Sequence, residues 1–306
     1  MRILIASHIS PGALEQLRPH HEIVDGIGQP EGELRRLIVG CDALIFRSGV
    51  QITASVMEGS PQLRLVVRAG SGIDNIDLDH VKERGLELVR VPGPGAQAVA
   101  EMTFALILAL ARQVLIADRA LREGHWIKHE VRGHLIQGKT LGVYGAGNIG
   151  YRVARMGAAW GMRVLACVEH PSRERRTSFR EDGVELETGD MLLAEADYLS
   201  VHVPLTESTK PLIGRSELAK MKPTAFLVTL ARGGVVDEVA LSEALRNGRL
   251  GGAGLDVHEH EGEGYVSSLA SFPNVVLTPH IGATTVDTQD VIGQKIVEII
   301  DTFATN

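Results

Sequence analysis

Three ionisable side chains follow apolar segments of the sequence, at points where a parallel sheet would present them together. Arg232 follows the apolar run FLVTLA, Glu261 comes shortly after GGAGLDV, and His280 ends the segment NVVLTPH. Open α/β sheets bind ligands at the carboxyl ends of their strands. A guanidinium can grip a carboxylate, and an imidazole beside a carboxylate can exchange a proton near neutral pH. The three residues together predict an acid/base site for a small anion.

The two glycines after Arg232 raise a question about this site, since a core strand rarely ends on an arginine. A solvated turn with a surface charge is one interpretation of Arg232, Gly233 and Gly234. The other is an anion-binding side chain, with glycines that let the backbone turn away closely. The neighbouring segments that end in Glu261 and His280 favour the second interpretation.

A glycine-rich loop lies upstream, in the segment KTLGVYGAGNIG. Gly145, Gly147 and Gly150 have the G-x-G-x-x-G spacing, with Asn148 and Ile149 between the last two. An apolar strand-like run precedes the motif, and a helix-like segment and a second strand-like run follow it. In that context the loop lets the backbone approach a pyrophosphate at a helix N-terminus. The motif predicts dinucleotide binding.

The choice between NAD and NADP depends on the end of the strand after the glycine loop. An acid there binds the ribose hydroxyls of NAD. Val168 stands at the expected place and Glu169 follows it. A carboxylate at Glu169 repels a 2′-phosphate and favours NAD. NADP stays open because basic residues follow closely, namely Arg173, Arg175 and Arg176.

The elements that must position these residues are short apolar strands alternating with amphipathic helices. Two such series occur, and the breaker cluster VPGPGAQ separates them. Alternation of this kind predicts parallel sheets covered by helices on both faces. After the cluster we expect one long helix, about residues 98–122, and near the C-terminus another over 286–303. The fold class is therefore α/β, with two related domains.

Composition excludes several classes of function. The chain has 306 residues, 44% of them hydrophobic, and a formal net charge of −7. This charge argues against nucleic acid as a partner. The apolar run MTFALILALA is too short to cross a bilayer, which needs about 20 residues. The N-terminus lacks the pattern of a signal peptide, and both cysteines lie in apolar contexts. We expect a cytoplasmic protein without a membrane partner.

With these motifs in place, the sequence resembles the D-isomer-specific 2-hydroxyacid dehydrogenases, and among them the short phosphoglycerate dehydrogenases without a regulatory domain. The resemblance covers essentially the whole chain. The segments that carry it are VVRAGSGIDNID, GKTLGVYGAGNIG, LSVHVPLTESTKPLIG, LARGGVVDE and LTPHIGA. It implies a flavodoxin-like substrate domain of residues 1–96, completed by a C-terminal helix within 283–306. It also implies an inserted Rossmann domain of residues 97–282, and a homodimer.

The resemblance assigns roles to individual residues. His280 would be the general acid/base, Glu261 its partner, and Arg232 the anchor of the substrate carboxylate. Further cofactor contacts would come from His202, Pro204, Leu230, Ala231, Asp256 and Gly282. Substrate contacts would come from Ser71 and Gly72, and from Arg47 and Arg68, which suit a second anion such as the phosphate of 3-phosphoglycerate.

Several alternatives stay open at this point. Gly262 replaces the proline that usually follows the partner acid, so Glu259 or Glu263 could take the place of Glu261. The segment HEHEGEG invites a metal site, but its histidines lack the spacing of metal-binding helices, and we expect none. A glyoxylate or hydroxypyruvate reductase is the main alternative enzyme. A nucleotide-sensing corepressor or a methyltransferase would leave Arg232, Glu261 and His280 without a role.

Overall fold

The computed structural model of the chain describes residues 1–70 and 72–305. It contains two compact units: unit 1 consists of Met1–Gly95 and Thr284–Asn306, and unit 2 of Ala96–Ala283.

Short strands and helices alternate along the chain. The strands are β1 (Arg2–Ile5), β2 (Glu22–Asp25), β3 (Ala43–Phe46), β4 (Leu65–Arg68), β5 (Glu87–Arg90), β6 (Thr140–Tyr144), β7 (Arg163–Cys167), β8 (Val184–Leu186), β9 (Tyr198–Val201), β10 (Phe226–Thr229), β11 (Gly252–Leu255) and β12 (Val275–Leu277). The α-helices are α1 (Pro11–Leu17), α2 (Glu31–Leu37), α3 (Ala54–Glu58), α4 (Leu78–Glu83), α5 (Pro94–Ala111), α6 (Val114–Arg122), α7 (Asn148–Ala159), α8 (Arg173–Glu181), α9 (Gly189–Glu195), α10 (Arg215–Lys220), α11 (Glu238–Arg246) and α12 (Val286–Thr305).

Unit 1 is built on a parallel sheet of five strands in the order β2-β1-β3-β4-β5. This is the flavodoxin-like order, which confirms the predicted fold of this part of the chain. The central strands β3 and β4 are buried along their whole length. Their register pairs Phe46 with Arg68, so Arg47 and Arg68 come at the carboxyl ends of two adjacent strands.

Unit 2 is built on a parallel sheet of seven strands in the order β12-β11-β10-β9-β6-β7-β8. Counted from β6, this is the Rossmann order with one further strand, β12, at the edge. The Rossmann fold predicted for this part of the chain is confirmed. The carboxyl ends of β10, β11 and β12 lie side by side, because Thr229 pairs with Leu255 and Leu255 with Leu277. Strand β8, which was not predicted from the sequence, has three residues and lies at the edge of the sheet.

The single helix predicted over 98–122 is wrong in its extent. The structure has two helices, because Gln113 adopts a left-handed conformation with φ of 52° and interrupts the helical path. The first helix, α5, begins earlier than expected, at Pro94, where proline's fixed φ suits the first turn. By length and composition α5 could span a membrane, yet half of it is buried in the protein, as in the core helices of soluble proteins.

The break also changes where apolar surface is exposed. The first helix, α5, has ten buried residues, whereas α6 has none. Large hydrophobic side chains are instead exposed on α6 and the segment after it, namely Val114, Leu115, Leu121, Trp126 and Leu135.

Candidate active site

The centre of the candidate site in unit 2 is a hydrogen-bonded pair of His280 and Glu261. Nδ1 of His280 lies 2.9 Å from one carboxylate oxygen of Glu261 and 3.1 Å from the other. Both side chains are partly exposed, at 26% and 34%. They line part of a cavity of about 540 Å³. Because Nδ1 is engaged with the carboxylate, Nε2 is the nitrogen left to exchange a proton with a ligand.

The backbone at His280 is held in an unusual conformation. Its φ of 55° lies in the left-handed region, which side chains other than glycine seldom adopt. Its N–H donates to the carbonyl of Asp256 at 2.7 Å and to that of Thr278 at 3.1 Å. Such strain persists where surrounding bonds over-determine the geometry, and it occurs often at functional sites.

The carboxylate of Asp256 supplies most of those surrounding bonds. It is 1% exposed and follows β11 directly. It accepts from the Thr278 hydroxyl at 2.6 Å, from the Ile281 N–H at 2.9 Å and from the Gly282 N–H at 2.7 Å. This buried acid therefore fixes the turn on both sides of His280.

The structure separates the three candidate partner acids. The carboxylate of Glu259 accepts from the backbone N–H of Glu238 at 3.2 Å, and the Glu238 carboxylate accepts from the backbone N–H of Glu259 at 2.7 Å. This reciprocal arrangement ties the loop after β11 to the start of α11. Glu263 is exposed and lines the same cavity as the pair. Glu261 is the acid that meets the imidazole.

Glu261 is kept ionised by its neighbours. Burial opposes its charge, but the hydrogen bond and positive charge of His280, with a smaller contribution from His258, outweigh that cost and lower the pKa of Glu261 below its ordinary value. A charged carboxylate facing Nδ1 favours the protonated form of an imidazole. The pair can therefore hold a proton for delivery to a ligand.

Arg232 reaches the same edge of the sheet from the loop after β10. It is partly buried, and its guanidinium donates to the carbonyl of Ala231 at 2.8 Å. The two preceding residues, Leu230 and Ala231, are buried at 6% and 7% exposure. The glycines that follow are needed sterically. A side chain on Gly233 would overlap the carbonyl of His258, and Gly234 has φ of 82°.

The glycine loop after β6 has the shape that a bound dinucleotide requires. A Cβ on Gly147 would project into open space, whereas one on Gly150 would overlap the carbonyl of Gly145. Gly145 itself has φ of 88°. Asn148 and Ile149 begin α7, so their N–H groups belong to the unpaired donors of a helix start. The open space and the free donors fit a pyrophosphate at this position.

Two further predicted cofactor residues lie at the end of β9. The backbone N–H of His202 donates to the carbonyl of Tyr144 in β6 at 2.8 Å, and its Nε2 lies 2.7 Å from the Ser200 hydroxyl. Burial lowers the pKa of His202 to about 4, so this ring is neutral at neutral pH. Its Nδ1 is buried and has no hydrogen-bond partner among the described residues. Pro204 is exposed nearby.

The end of β7 differs from the pattern of an acid on the ribose. Val168 packs partly against the hydrophobic core of unit 2, and Glu169 is exposed. From α8, the guanidinium of Arg175 donates to the carbonyl of Ala146 in the glycine loop at 2.5 Å. One of the arginines noted in the sequence therefore lies against the loop.

The two predicted arginines of unit 1 are joined by a network of amides. The carboxamide of Asn75 donates to the carbonyl of Arg47 at 2.8 Å and accepts from Nε of Arg68 at 3.3 Å. Arg47 also donates to the side chain of Gln289 in α12 at 2.5 Å. Arg68 is 4% exposed and lies over the ring of Phe46. Burial lowers the pKa of Arg47.

The structure brings together most of the predicted residues within each unit. Unit 2 groups Arg232, Glu261, His280, Asp256 and Gly282 on adjacent loops, and unit 1 groups Arg47 and Arg68. Gly72 is partly buried, and Ser71 lies outside the described residues. Sequence reasoning missed the residues that support these groups: His258, Thr278, Glu238, Asn75 and Gln289. Only His258 had a signal, as part of the segment HEHEGEG.

The sheet order and the glycine loop define unit 2 as a dinucleotide-binding domain. The family model described as "D-isomer specific 2-hydroxyacid dehydrogenase, NAD binding domain" matches residues 104–282. The chain belongs to the D-isomer-specific 2-hydroxyacid dehydrogenase family, and its unit 2 is the NAD-binding domain. The resemblance seen in the sequence is thereby confirmed.

Three relatives show how the similarity is distributed. A hydroxypyruvate reductase of Thermotoga maritima is 42% identical over 270 residues, covering 88% of this chain and 86% of the relative. A D-3-phosphoglycerate dehydrogenase of Archaeoglobus fulgidus is 39% identical over 305 residues, 99% of this chain. The chain spans 57% of that relative's length. The structure of D-lactate dehydrogenase from Aquifex aeolicus with NAD and lactic acid is 30% identical, covering 100% of this chain and 96% of that one, with a TM-score of 0.84.

Proposed function

We propose that the protein interconverts a D-2-hydroxy acid and its 2-keto acid by hydride transfer with NAD. The observation that carries the proposal is the His280–Glu261 pair, with Nδ1 engaged by the carboxylate at 2.9 Å in an NAD-binding domain of this family. Such a reaction needs a proton on the carbonyl oxygen besides the hydride, and the pair is a device for delivering it.

The chain's own residues have distinct tasks in the reaction. When bound, the nicotinamide cofactor would supply the hydride for reduction or accept it in oxidation. His280 gives its Nε2 proton to the carbonyl oxygen during reduction and takes it back during oxidation. Glu261 stabilises the imidazolium through Nδ1 and fixes the ring. Arg232 binds the substrate carboxylate with its planar guanidinium and polarises the carbonyl.

The residues proposed to hold the cofactor lie on six loops of unit 2, after β6, β7, β9, β10, β11 and β12. The N–H groups after Gly145 and Gly147, at Asn148, Ile149 and Gly150, take the pyrophosphate. Glu169 is proposed for the ribose, and the ends of β9 and β10 line the cofactor through His202, Pro204, Leu230 and Ala231. Asp256 and Gly282 border the nicotinamide side, where the Asp256 carboxylate also accepts from three donors of the chain.

Unit 1 is proposed to bind substrate, with 3-phosphoglycerate and 3-phosphohydroxypyruvate as the favoured pair. Ser71 and Gly72 would contact the carboxylate, and Arg47 and Arg68 would contact the phosphate. Support comes from the two guanidiniums at the ends of adjacent strands and from the phosphoglycerate dehydrogenase relatives. Two arginines in one cluster suit a dianion.

A hydroxypyruvate reductase is the second candidate, and a specific observation favours it. The Thermotoga relative of that name matches over 86% of its own length, whereas the phosphoglycerate dehydrogenase of Archaeoglobus is matched over 57%. In such an enzyme the substrate tail carries no charge, and Arg47 and Arg68 would serve the architecture of unit 1.

A substrate panel distinguishes these candidates. NADH and NADPH oxidation is followed at the nicotinamide absorbance with 3-phosphohydroxypyruvate, hydroxypyruvate, glyoxylate and pyruvate. We expect kcat/KM for 3-phosphohydroxypyruvate to exceed that for hydroxypyruvate by about tenfold or more, since a charge-assisted hydrogen bond contributes roughly 1.5–3 kcal/mol. The advantage should shrink in Arg47→Ala. Arg68→Met is the companion variant, because it keeps the buried volume over Phe46.

The panel also contains its own refutation. Equal kcat/KM for 3-phosphohydroxypyruvate and hydroxypyruvate would contradict a phosphate site. Equal losses of kcat/KM for both substrates in Arg47→Ala would do the same. Either result would favour the hydroxypyruvate reductase. Absence of turnover with every 2-keto acid would contradict the dehydrogenase proposal as a whole and return attention to a nucleotide-sensing protein.

We also propose a homodimer in the cytoplasm, without nucleic-acid or membrane partners. The support for the dimer is the exposed apolar surface around α6, where Leu121, Trp126 and Leu135 are 60%, 77% and 74% exposed. We propose that these side chains belong to one apolar patch, a feature that marks protein interfaces. Light scattering at micromolar concentration should give twice the chain mass of 33.0 kDa. A monomeric mass would contradict the dimer.

A further inference from the structure

The side chain of His258 has no role in the reaction proposed above, yet it lies among the residues that carry the reaction. His258 is the third residue after β11, within the segment HEHEGEG. Its Nε2 lies 3.0 Å from the carbonyl oxygen of Thr278. Its Nδ1 is buried and has no partner among residues 1–70 and 72–305.

The hydrogen bond to Thr278 fixes the tautomer of His258. A carbonyl oxygen only accepts, so Nε2 must carry the hydrogen. In the neutral ring, Nδ1 then holds a lone pair and no proton. The histidine is used here as a rigid donor that reaches from the loop after β11 to the end of β12.

The acceptor of that bond belongs to the turn of His280. The same Thr278 carbonyl accepts from the backbone N–H of His280 at 3.1 Å. Two donors thus converge on one oxygen, one from the side chain of His258 and one from the backbone of the residue with φ of 55°. A displacement of this carbonyl would be transmitted to His280.

The backbone of His258 makes two other links. Its N–H donates to the Glu261 carboxylate at 3.2 Å, on the oxygen that lies 3.1 Å from His280 Nδ1. Its carbonyl lies against Gly233, where any Cβ would overlap it. One residue therefore contacts the three loops that present Arg232, Glu261 and His280.

We infer that His258 is a positioning residue, which holds the Glu261 carboxylate and the His280 turn in register through its Nε2 hydrogen bond to Thr278. The inference rests on the proposed function. Without that bond, the loop after β11 can shift relative to the end of β12, and Glu261 separates from Nδ1 of His280. The titratable groups near His258 include Glu261, which accepts from its N–H, and three further residues that line the same cavity, His260, Glu263 and His280.

The test compares three substitutions that differ in reach. His258→Phe keeps the ring and removes the donor. His258→Gln places an amide N–H near the position of Nε2, and His258→Asn places one near Nδ1, too short for Thr278. We expect His258→Phe to lower kcat about tenfold, since misplacement by about 1 Å can cost up to about 100-fold. KM for NADH should stay within about twofold.

The pH profile separates positioning from a general loss of structure. In His258→Phe the alkaline limb of the reduction rate should move to lower pH, because the His280 imidazolium loses part of its contact with the Glu261 carboxylate. Glu261→Gln should move the limb in the same direction. His258→Gln should restore most of the turnover and the profile, and His258→Asn should not. His260→Phe, an exposed neighbour whose ring packs on Tyr265, is the control and should behave as wild type.

An unshifted profile in His258→Phe, or equal behaviour of the Gln and Asn variants, would overturn the inference. If His258→Phe does not fold, the Gln and Asn pair decides alone. Failure of the proposed function has a different signature: His280→Ala and Glu261→Gln would themselves leave turnover unchanged. If His280→Ala and Glu261→Gln lose turnover while His258→Phe behaves as wild type, the proposed function stands and only the positioning role of His258 is contradicted.

Discussion

The two halves of the carboxyl edge in unit 2 are built in opposite ways. After β10, β11 and β12, the loops are joined by bonds from side chains to backbone, with Asp256 alone accepting from three donors. After β6, the glycine loop leaves open space at Gly147, and its backbone N–H groups begin a helix. One half fixes side chains and the other exposes backbone.

This difference follows from what each half is asked to bind. Proton transfer requires side-chain atoms held within a fraction of an ångström, which needs supporting bonds from several loops. A pyrophosphate is bound by backbone donors, which needs the absence of side chains. Substitutions should therefore act through turnover on the β10–β12 half and through cofactor affinity on the β6 half.

The largest effect is expected at Gly147. In Gly147→Val the added side chain enters the space proposed for the pyrophosphate, so NADH binding should weaken by more than about 100-fold, equivalent to roughly 3 kcal/mol. Because no atom of the described residues, apart from the immediate chain neighbours, lies within 4 Å of the added Cβ, the melting temperature should stay close to wild type. Fluorescence titration with NADH and calorimetry measure the two quantities.

Gly150→Ala provides the contrast to that variant. Its Cβ would overlap the carbonyl of Gly145, so it should reduce the free energy of unfolding by about 1–3 kcal/mol. If Gly147→Val bound NADH normally, the glycine loop would not be the pyrophosphate site, and the comparison between the two halves would lose its basis.

The next effect belongs to the acid/base pair. His280→Ala should lower kcat about 100-fold or more and leave NADH binding nearly intact, because general acid catalysis contributes about 10²–10⁴-fold. Stopped-flow measurement of hydride transfer, with NADH titration beside it, separates chemistry from binding. If His280→Ala lost affinity for NADH and kept its rate of hydride transfer, His280 would be a cofactor-binding residue and not the acid/base.

Glu261→Gln tests the pair through pH. The pKa of Glu261 is lowered, so the carboxylate is ionised throughout the neutral range and acts on the limb where His280 loses its proton. Removing its charge makes the imidazolium less favourable, and the alkaline limb of reduction should move to lower pH. Glu259→Gln is the matched control, because that carboxylate bonds the backbone of Glu238. If the pH profile shifted in Glu259→Gln and not in Glu261→Gln, Glu259 would be the partner of His280.

The fold could be predicted from the sequence because strand and helix periodicity survives in short segments. The break at Gln113 could not, since a left-handed glutamine leaves no pattern in the residues around it. Three glutamates within five residues of one loop are equivalent by spacing. Only the folded loop separates Glu261, at the imidazole, from Glu259, whose carboxylate bonds across to α11.

The residues that support the site could not be predicted from the sequence for a related reason. The side chain of His258 bonds to a backbone carbonyl on another loop, and the hydroxyl of Thr278 donates to the Asp256 carboxylate on another; such contacts impose no spacing in the sequence. The glycines after Arg232 did indicate a close approach of backbone. What approaches Gly233, the carbonyl of His258, became visible only in the structure.

The smallest effect is expected at Glu169, on the open half of the edge. Its exposed carboxylate should favour NADH over NADPH by repelling the 2′-phosphate, but an exposed charge contributes only about 0.2–1 kcal/mol. Glu169→Gln should therefore shift the ratio of kcat/KM toward NADPH by at most about fivefold. Arg175→Gln is the opposing variant: its guanidinium lies against the glycine loop at Ala146 and would attract the same phosphate. A wild-type enzyme that prefers NADPH, and loses that preference in Arg175→Gln, would show that Arg175 rather than Glu169 governs the choice of cofactor.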